Sequence, residues 1–277
     1  MLCLFCKKDS GNSTSTEHII PESLGNKDYT LPNGVVCDSC NSYFGLKVEN
    51  PLLDSHYFRQ ARLRNSIPNK EDRMPTIPGI LLPGTIPIEM SLNEYGKGFL
   101  PTREKDISKL INTLKTTRKG EMIFPAPEKP NDYFMSRFLA KVGLEILASR
   151  VLEIPNGLDD IINKSELDNL RNYARFGNPF KLWPFNYRII YPENKLFTDG
   201  NQKFEILHEY NLLYTEFFEL YSVVVIFGIE YVINMGEPTL EGYMEWLNKN
   251  GGKSPLYMDD NSIPSVPKSF PILRPPF

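Results

Sequence analysis

The clearest periodic pattern in the chain is helical and lies over residues 131–151, NDYFMSRFLAKVGLEILASRV. Phe134, Phe138 and Val142 recur at helical spacing, and Asn131 stands before them as a cap residue. The pattern predicts the core helix of the larger part of the protein.

Strands are predicted further along by short runs of β-branched and aromatic residues. They lie at YRIIY (187–191), FEILHEYNLLYTE (204–216) and ELYSVVVIFGIEYVI (219–233), and we expect the last two to pair antiparallel. A helix that begins at Ser165 precedes them, and a short helix follows Pro238. Helices and strands in this order predict an α+β fold.

The longest apolar run, residues 221–233, is interrupted by Glu230. It is well short of the roughly 20 residues that a membrane-spanning helix needs. The first residues, MLCLFCKKDS, turn polar too early for a secretion signal. We therefore expect a soluble cytoplasmic protein that makes no membrane contact.

Shorter runs follow one another near the start of the chain. STSTEHII (13–20) predicts a strand or hairpin arm that Pro21 ends, because proline removes a backbone donor. YTLPNGVVC (29–37) predicts a turn followed by a short apolar strand.

A helix is predicted from Asp38, which is a candidate N-cap. Phe44 and Val48 lie on one face of this helix. Gly45 weakens it, and Pro51 is expected to end it.

A segment rich in proline and glycine, residues 66–102, predicts a linker that becomes short strands. We place the domain boundary there, between a module over residues 1–65 and a larger mixed α+β domain over residues 66–277. Repeated prolines predict an extended tail from about residue 253. The larger domain carries no motif with a known chemistry, and we expect it to serve recognition, dimerisation or sensing.

The composition is that of a globular protein, with 41% apolar and 23% charged residues. A formal net charge of −3 argues against a strong electrostatic grip on a polyanion by the chain as a whole. The charge is uneven, however, because residues 103–150 are basic and residues 151–277 are acidic. Any surface that binds nucleic acid is therefore expected in the first half.

The four cysteines of the chain form two closely spaced pairs, Cys3-x2-Cys6 and Cys37-x2-Cys40. A CxxC turn presents two thiolates to one point, and two such turns complete the tetrahedral shell of a structural zinc ion. The alternatives are two disulfides, which the absence of a secretion signal disfavours, or unrelated core cysteines. The spacing predicts structural Zn²⁺.

Two strands and a helix held by these cysteine pairs, with EHIIPESLG (17–25) and NGVVCDSCN (33–41), resemble the ββα-metal finger of the HNH endonuclease family. The resemblance covers about residues 1–50. It implies hydrolysis of nucleic-acid phosphodiesters with a divalent ion, Mg²⁺ or Mn²⁺. The likeness is greatest to stand-alone bacterial nucleases, which implies a setting in restriction or phage defence.

The resemblance implies a role for each of four residues. His18 matches the general base that takes a proton from the attacking water, and its neutral form is present at cellular pH. Glu17 and Asn41 match metal ligands, whose hard oxygens suit Mg²⁺ or Mn²⁺. Asn33 matches the residue that orients His18 through backbone hydrogen bonds.

Alternatives stay open at two of these positions. Successive side chains of a regular strand point to opposite faces. Glu17 and His18 therefore share one site only if the strand is bent or Glu17 reaches the metal around its edge. Asn41 also fits a structural role as a polar residue near the start of a helix.

Basic side chains beside the motif are candidates for phosphate contacts, because positioning contacts to nucleic acid are made mostly to the backbone. They are Lys47, Arg59, Arg62 and Arg64. An ordinary solvated surface is the alternative for each of them.

The sequence predicts a metal-dependent endonuclease that acts on DNA, because the deep, narrow major groove of A-form RNA does not suit a ββα finger. A double-strand break by one active centre would require a homodimer, and the low net charge suggests an activating partner protein. The alternative is a zinc-ribbon module that binds nucleic acid or protein without catalysis.

Overall fold

The computed structural model describes residues 1–256, apart from 70–71, 94–95, 102, 127, 193–194 and 200–201. The chain forms two units, Met1–Trp183 and Pro184–Phe277. Helices and strands are mixed, which confirms the α+β class. The boundary predicted near residue 66 falls inside the first unit, and all but the start of the proline-rich tail lies outside the described residues.

The N-terminal hairpin is shorter than the sequence runs suggest. Strand β1 (Glu17–His18) pairs antiparallel with β2 (Thr30–Leu31), so that Glu17 lies opposite Leu31. A single 3-10 turn at Glu22–Leu24 follows Pro21. The hairpin brings the two cysteine-bearing ends of the segment together.

The N-cap of helix α1 (Asp38–Phe44) is Cys37, one residue before the predicted N-cap Asp38. The sulfur of Cys37 accepts a hydrogen bond from the amide of Cys40. Phe44 and Val48 are fully buried, which confirms the predicted inner face.

The prediction that Pro51 ends this helix was wrong. A π-helical turn (Gly45–Glu49) follows α1, and helix α2 (Asn50–Leu53) then continues past the proline. Pro51 stands in the first turn of α2, directly after the π-helical turn, where its fixed φ suits the helical backbone.

Helix α3 (His56–Arg64) leads into a four-stranded antiparallel sheet with the order β5-β4-β3-β6. Its strands are β3 (Ile77–Leu82), β4 (Ile86–Asn93), β5 (Gly96–Pro101) and β6 (Glu121–Ile123), and helix α4 (Asp106–Thr117) connects β5 with β6. The short strands predicted over residues 66–102 are confirmed.

Helix α5 (Asp132–Val151) is the core helix that the apolar period predicted, and Asn131 caps it by accepting the amides of Tyr133 and Phe134. It is followed by α6 (Gly157–Asn163) and α7 (Asp168–Phe176), close to the helix predicted from Ser165. Helix α5 packs against α7 and against the π-helical turn of the N-terminal module. This packing places the module and the three helices in one unit.

The second unit contains a four-stranded antiparallel sheet with the order β10-β11-β12-β7. Its strands are β7 (Phe185–Ile189), β10 (His208–Tyr214), β11 (Leu220–Ile226) and β12 (Ile229–Asn234). A two-stranded sheet of β8 (Phe197–Asp199) and β9 (Gln202–Phe204) and the helix α8 (Glu241–Lys249) complete the unit. The predicted antiparallel pair is confirmed as β10 and β11.

The apolar run 219–233 is a hairpin and not the single strand that its composition predicted. Phe227 and Gly228 both have positive φ, which is the geometry of a two-residue type I′ turn. Since neither residue is polar, the turn is invisible in the hydropathy pattern. Among the described helices, none combines the length and apolar character that crossing a bilayer requires.

Candidate active site

The four cysteines meet at one point and form the cysteine cluster (Cys3, Cys6, Cys37 and Cys40). Their sulfur atoms all lie within 4.8 Å of one another, and those of Cys6 and Cys37 are 3.7 Å apart. The amide of Cys37 donates to Cys3 Sγ at 3.3 Å, and that of Cys40 donates to Cys37 Sγ at 3.4 Å. This is the arrangement of a zinc staple.

The chemistry of the donor set also fits zinc. A hydrogen bond from the Cys40 thiol lowers the pKa of Cys3 to about 4, whereas the same bond and burial raise the pKa of Cys40. Four thiols so close together cannot all become thiolates without a cation, because their charges repel. The cysteine cluster would hold a structural Zn²⁺ ion with its four sulfur atoms, and the charge of the ion would remove this conflict.

The segment that leads into β1 is held against the start of α1. The Asp38 carboxylate accepts the Ser15 hydroxyl at 2.6 Å, the Ser15 amide at 2.9 Å and the Thr14 amide at 3.0 Å. These bonds, the Ser15 hydroxyl first, lower the pKa of Asp38. The loop before the Glu-His pair is therefore fixed to the helix that follows the second CxxC pair.

Both predicted asparagines contact the backbone of the same segment. Asn41 Nδ2 donates to the carbonyl oxygen of Thr16 at 3.2 Å, and Asn33 Nδ2 donates to that of Thr14 at 3.3 Å. Asn41 is half-buried and Asn33 is exposed. With its nitrogen bound to the strand, Asn41 has its amide oxygen left as the atom that can bind a cation.

Glu17 and His18 differ in burial, as the alternation of a strand requires. Glu17 is 4% exposed, whereas His18 is half-buried. Glu17 Oε2 and His18 Nδ1 are both enclosed, and the described part of the chain offers neither of them a hydrogen-bond partner. The two residues therefore each bring one unsatisfied polar atom to the region of β1.

Glu17 belongs to a buried charge cluster (Lys141, Glu17, Glu49 and Glu145) that the sequence did not reveal. Lys141 Nζ lies 2.7 Å from Glu17 Oε1, 2.9 Å from Glu49 Oε1 and 3.0 Å from Glu145 Oε2. Lys141 and Glu145 are fully buried in α5, one turn apart. The π-helical turn of the N-terminal module supplies Glu49.

The charges of this cluster shift the pKa of its helical members. Burial opposes a charge on Lys141, but Glu145, Glu17 and Glu49 raise the pKa of Lys141 well above its ordinary value. Burial raises the pKa of Glu145, and the charges of Glu17 and Glu49 add to this rise against the opposing effect of Lys141. Lys141 is therefore an ammonium ion.

The four predicted phosphate contacts are placed differently from one another. Lys47 and Arg64 are exposed, and Arg59 Nη2 lies 3.6 Å from Asp54 Oδ1 with much of its side chain accessible. Arg62 is buried at 9% exposure, and burial lowers the pKa of its guanidinium. Phosphate contacts are therefore open to Lys47, Arg59 and Arg64 but not to Arg62 in this structure.

Comparison with known proteins now adds to this geometry. Residues 3–56 match the family model of the HNH endonucleases. This segment contains the cysteine cluster, β1, β2 and α1, and it supports a nuclease-type function for the N-terminal part. No curated protein and no solved structure matches the chain.

The matched segment ends before the two α5 residues of the buried charge cluster. Lys141 and Glu145 lie in α5, and sequence reasoning missed them because the helix reads as an apolar core element. The sequence feature that indicates a buried ion pair is their i, i+4 spacing within a run of apolar residues. Charged residues are almost never fully buried unless they are paired.

Proposed function

We propose that the protein is a metal-dependent endonuclease that hydrolyses phosphodiester bonds in DNA. The observation that carries the proposal is the hydrogen bond between Asn41 and the backbone of Thr16. It ties helix α1 of the HNH-matched segment to the residue directly before the strand that carries Glu17 and His18.

In this proposal His18 is the general base. Its half-buried imidazole accepts a proton from the attacking water. Asn33 holds the preceding segment through its bond to Thr14 and so restricts the position of the ring.

Glu17 and Asn41 are the proposed ligands of the divalent ion, Mg²⁺ or Mn²⁺. The fit rests on Glu17 Oε2, a buried oxygen with no partner among the residues that the structure describes, and on the amide oxygen of Asn41. Hard oxygen donors of this kind suit either ion. The chemistry that a bound divalent ion supplies is neutralisation of the phosphate and of the leaving oxygen.

DNA is the proposed substrate because a ββα finger fits against a duplex groove that A-form RNA does not offer. Lys47, Arg59 and Arg64 are the proposed phosphate contacts. The net charge of −3 predicts weak intrinsic affinity, which is the basis for proposing an activating partner protein. The basis for proposing a homodimer is that one active centre cuts only one strand at a time. The support for restriction or phage defence is the resemblance to stand-alone bacterial nucleases.

Cleavage of supercoiled plasmid tests this function and the role of His18 together. We expect nicked or linear products with Mg²⁺ or Mn²⁺ and none with EDTA. His18→Ala should lower the rate by about 10²–10⁴-fold, the usual contribution of a general base, and leave the unfolding temperature unchanged. Cys37→Ser should instead release zinc and lower the unfolding temperature, because the free energy of binding a structural zinc ion contributes directly to the free energy of folding.

His56→Ala is the matched control, since His56 is exposed at the start of α3 and lies outside the site. It should cleave like the wild type. Cleavage by His18→Ala at the wild-type rate would show that another group is the base. An inert wild type that retains zinc would favour the non-catalytic zinc module.

A further inference from the structure

One side chain from outside the HNH-matched residues reaches the strand that carries His18. Lys141 Nζ lies 2.7 Å from Glu17 Oε1 and 3.4 Å from the carbonyl oxygen of His18. The same nitrogen contacts Glu49 and Glu145. An ammonium group has three hydrogens, and these are shared among one oxygen of each of the three carboxyl groups and the carbonyl oxygen of His18.

These contacts join both halves of the N-terminal module. Glu17 lies on β1 next to His18, and Glu49 ends the π-helical turn that continues the helix of Asn41. Lys141 therefore fixes the proposed base and the helix-borne ligand relative to each other. It uses only one oxygen of Glu17, and the other oxygen, Oε2, has no partner in the described residues.

We propose that Lys141 is a positioning residue of this active site. It orients Glu17 by holding Oε1, so that Oε2 is presented to the divalent ion, and it fixes the backbone of His18. This inference rests on the proposed endonuclease function and extends the site beyond the family-matched segment into α5. A lysine that served stability alone would affect unfolding but not the affinity for the ion.

The test uses the full chain with Lys141→Met and Glu49→Gln combined, which removes one positive and one negative charge and leaves the net charge of the buried charge cluster unchanged. Zinc content and thermal unfolding report the fold. Titration with Mn²⁺ followed by electron paramagnetic resonance, ¹⁵N shifts of the His18 ring and plasmid cleavage report the site. We expect retained zinc, a roughly 10–100-fold loss of Mn²⁺ affinity, shifted His18 signals and a lower kcat with an unchanged KM for DNA.

Two control variants separate positioning from general stability. Glu49→Gln alone keeps the contact between Lys141 and Glu17, and its amide oxygen can still accept a hydrogen bond from Lys141, so it should bind Mn²⁺ like the wild type. Arg137→Met removes another buried cation of α5, one turn before Lys141, whose guanidinium contacts Tyr43 and the carbonyl of Arg175. It should lower the unfolding temperature and leave Mn²⁺ affinity and the His18 signals unchanged.

A double variant that binds Mn²⁺ and cleaves like the wild type overturns the inference, and so does an equal loss of Mn²⁺ affinity in Arg137→Met. If the double variant does not fold, Lys141→Arg decides. A planar guanidinium cannot place three donors at the position of one nitrogen, so Glu17 must shift and Mn²⁺ affinity must fall; unchanged affinity overturns the inference.

Failure of the underlying function has a different signature. A folded wild type that neither cleaves DNA nor binds Mn²⁺ overturns the endonuclease proposal, and with it the role of Lys141. A wild type that does both, beside variants that do the same, overturns the role of Lys141 alone.

Discussion

Carboxylates away from water in this protein differ in the partners that surround them. Glu230 in the second unit is fully buried, and it accepts Arg188 Nε at 2.5 Å, the Tyr243 hydroxyl at 2.8 Å and the Ser254 hydroxyl. Such pairing offsets the cost of removing a charge from water. Glu209 differs, because burial and then the charge of Glu230 raise its pKa.

Glu209 predicts a dependence of stability on pH. Although the Tyr191 hydroxyl donates to it at 2.8 Å, its raised pKa means that the folded chain keeps this proton to higher pH than the unfolded chain. Stability from this group is therefore lost as the pH rises from the unfolded pKa of about 4.3 through the folded pKa. We expect Glu209→Gln to gain stability over the wild type as the pH rises above about 4.3, measured by urea unfolding at a series of pH values.

Glu205→Gln is the control for this measurement, because Glu205 is an exposed residue of the same unit. Its difference from the wild type should not change with pH. An advantage of Glu209→Gln that stays constant or shrinks as the pH rises would contradict the role of its burial.

At the scale of elements, the sequence predicted helix α5 correctly but did not reveal the buried charged residues that it carries. Its apolar period predicted the core helix, and its bounds agree with the structure. Arg137, Lys141 and Glu145 recur every four residues and are all buried, so they form one polar stripe along the helix. In the hydropathy pattern these three positions only interrupt the apolar face of the helix. Their polar partners lie largely on other elements, so the pairing is visible only in the structure.

The hairpin between β11 and β12 depends on one glycine. Gly228 has φ +80°, and a Cβ atom there would meet the carbonyl oxygen of Tyr191 at 2.4 Å. That oxygen belongs to backbone that cannot rotate away like a side chain. The carbonyl of Gly228 also accepts the amides of Ile190 and Tyr191.

Gly228→Ala should therefore destabilise the chain by about 3 kcal/mol, through both positive φ and the backbone clash. Gly251→Ala is the matched control, since Gly251 also has positive φ (+63°) but has no atom within 4 Å of the added Cβ. It should cost only about 1 kcal/mol. Equal losses for the two variants in chemical denaturation would show that the close approach to Tyr191 is relieved.

At the scale of the whole molecule, the N-terminal module is held by the helices that follow it far along the chain. Arg171 of α7 donates to the carbonyl of Leu4 at 2.9 Å, beside the first CxxC pair, and Arg137 of α5 donates to the Tyr43 hydroxyl at 3.3 Å. Lys141 adds the contact with Glu17. These interactions explain why the first unit extends to Trp183.

Truncation should reveal this dependence. A fragment of residues 1–183 should keep its zinc against a chelator and unfold cooperatively, because it contains the whole first unit. A fragment of residues 1–65 leaves Glu17 and Glu49 without Lys141, and breaking a buried ion pair in this way costs about 3–5 kcal/mol. We expect the short fragment to lose zinc readily and to show no cooperative transition by circular dichroism. A cooperative, zinc-retaining fragment 1–65 would mean that the module folds independently.

Local patterns were enough to predict the cysteine cluster, the core helix α5 and the antiparallel pair of β10 and β11. Their determinants are short-range spacings, such as the two CxxC pairs, the helical period and β-branched runs. The resemblance to the HNH endonuclease family selected Glu17, His18, Asn33 and Asn41 as site residues, and those roles remain predictions.

Other features were decided only by the tertiary structure. The continuation of the helix past Pro51, the turn at Gly228 and the burial of Arg62 depend on backbone conformation and packing, which composition does not encode. The pairing of Lys141 with Glu17 joins residues more than a hundred positions apart. A sequence shows which charges exist, but whether a charge is exposed to water or buried against a partner is determined only when distant segments pack together.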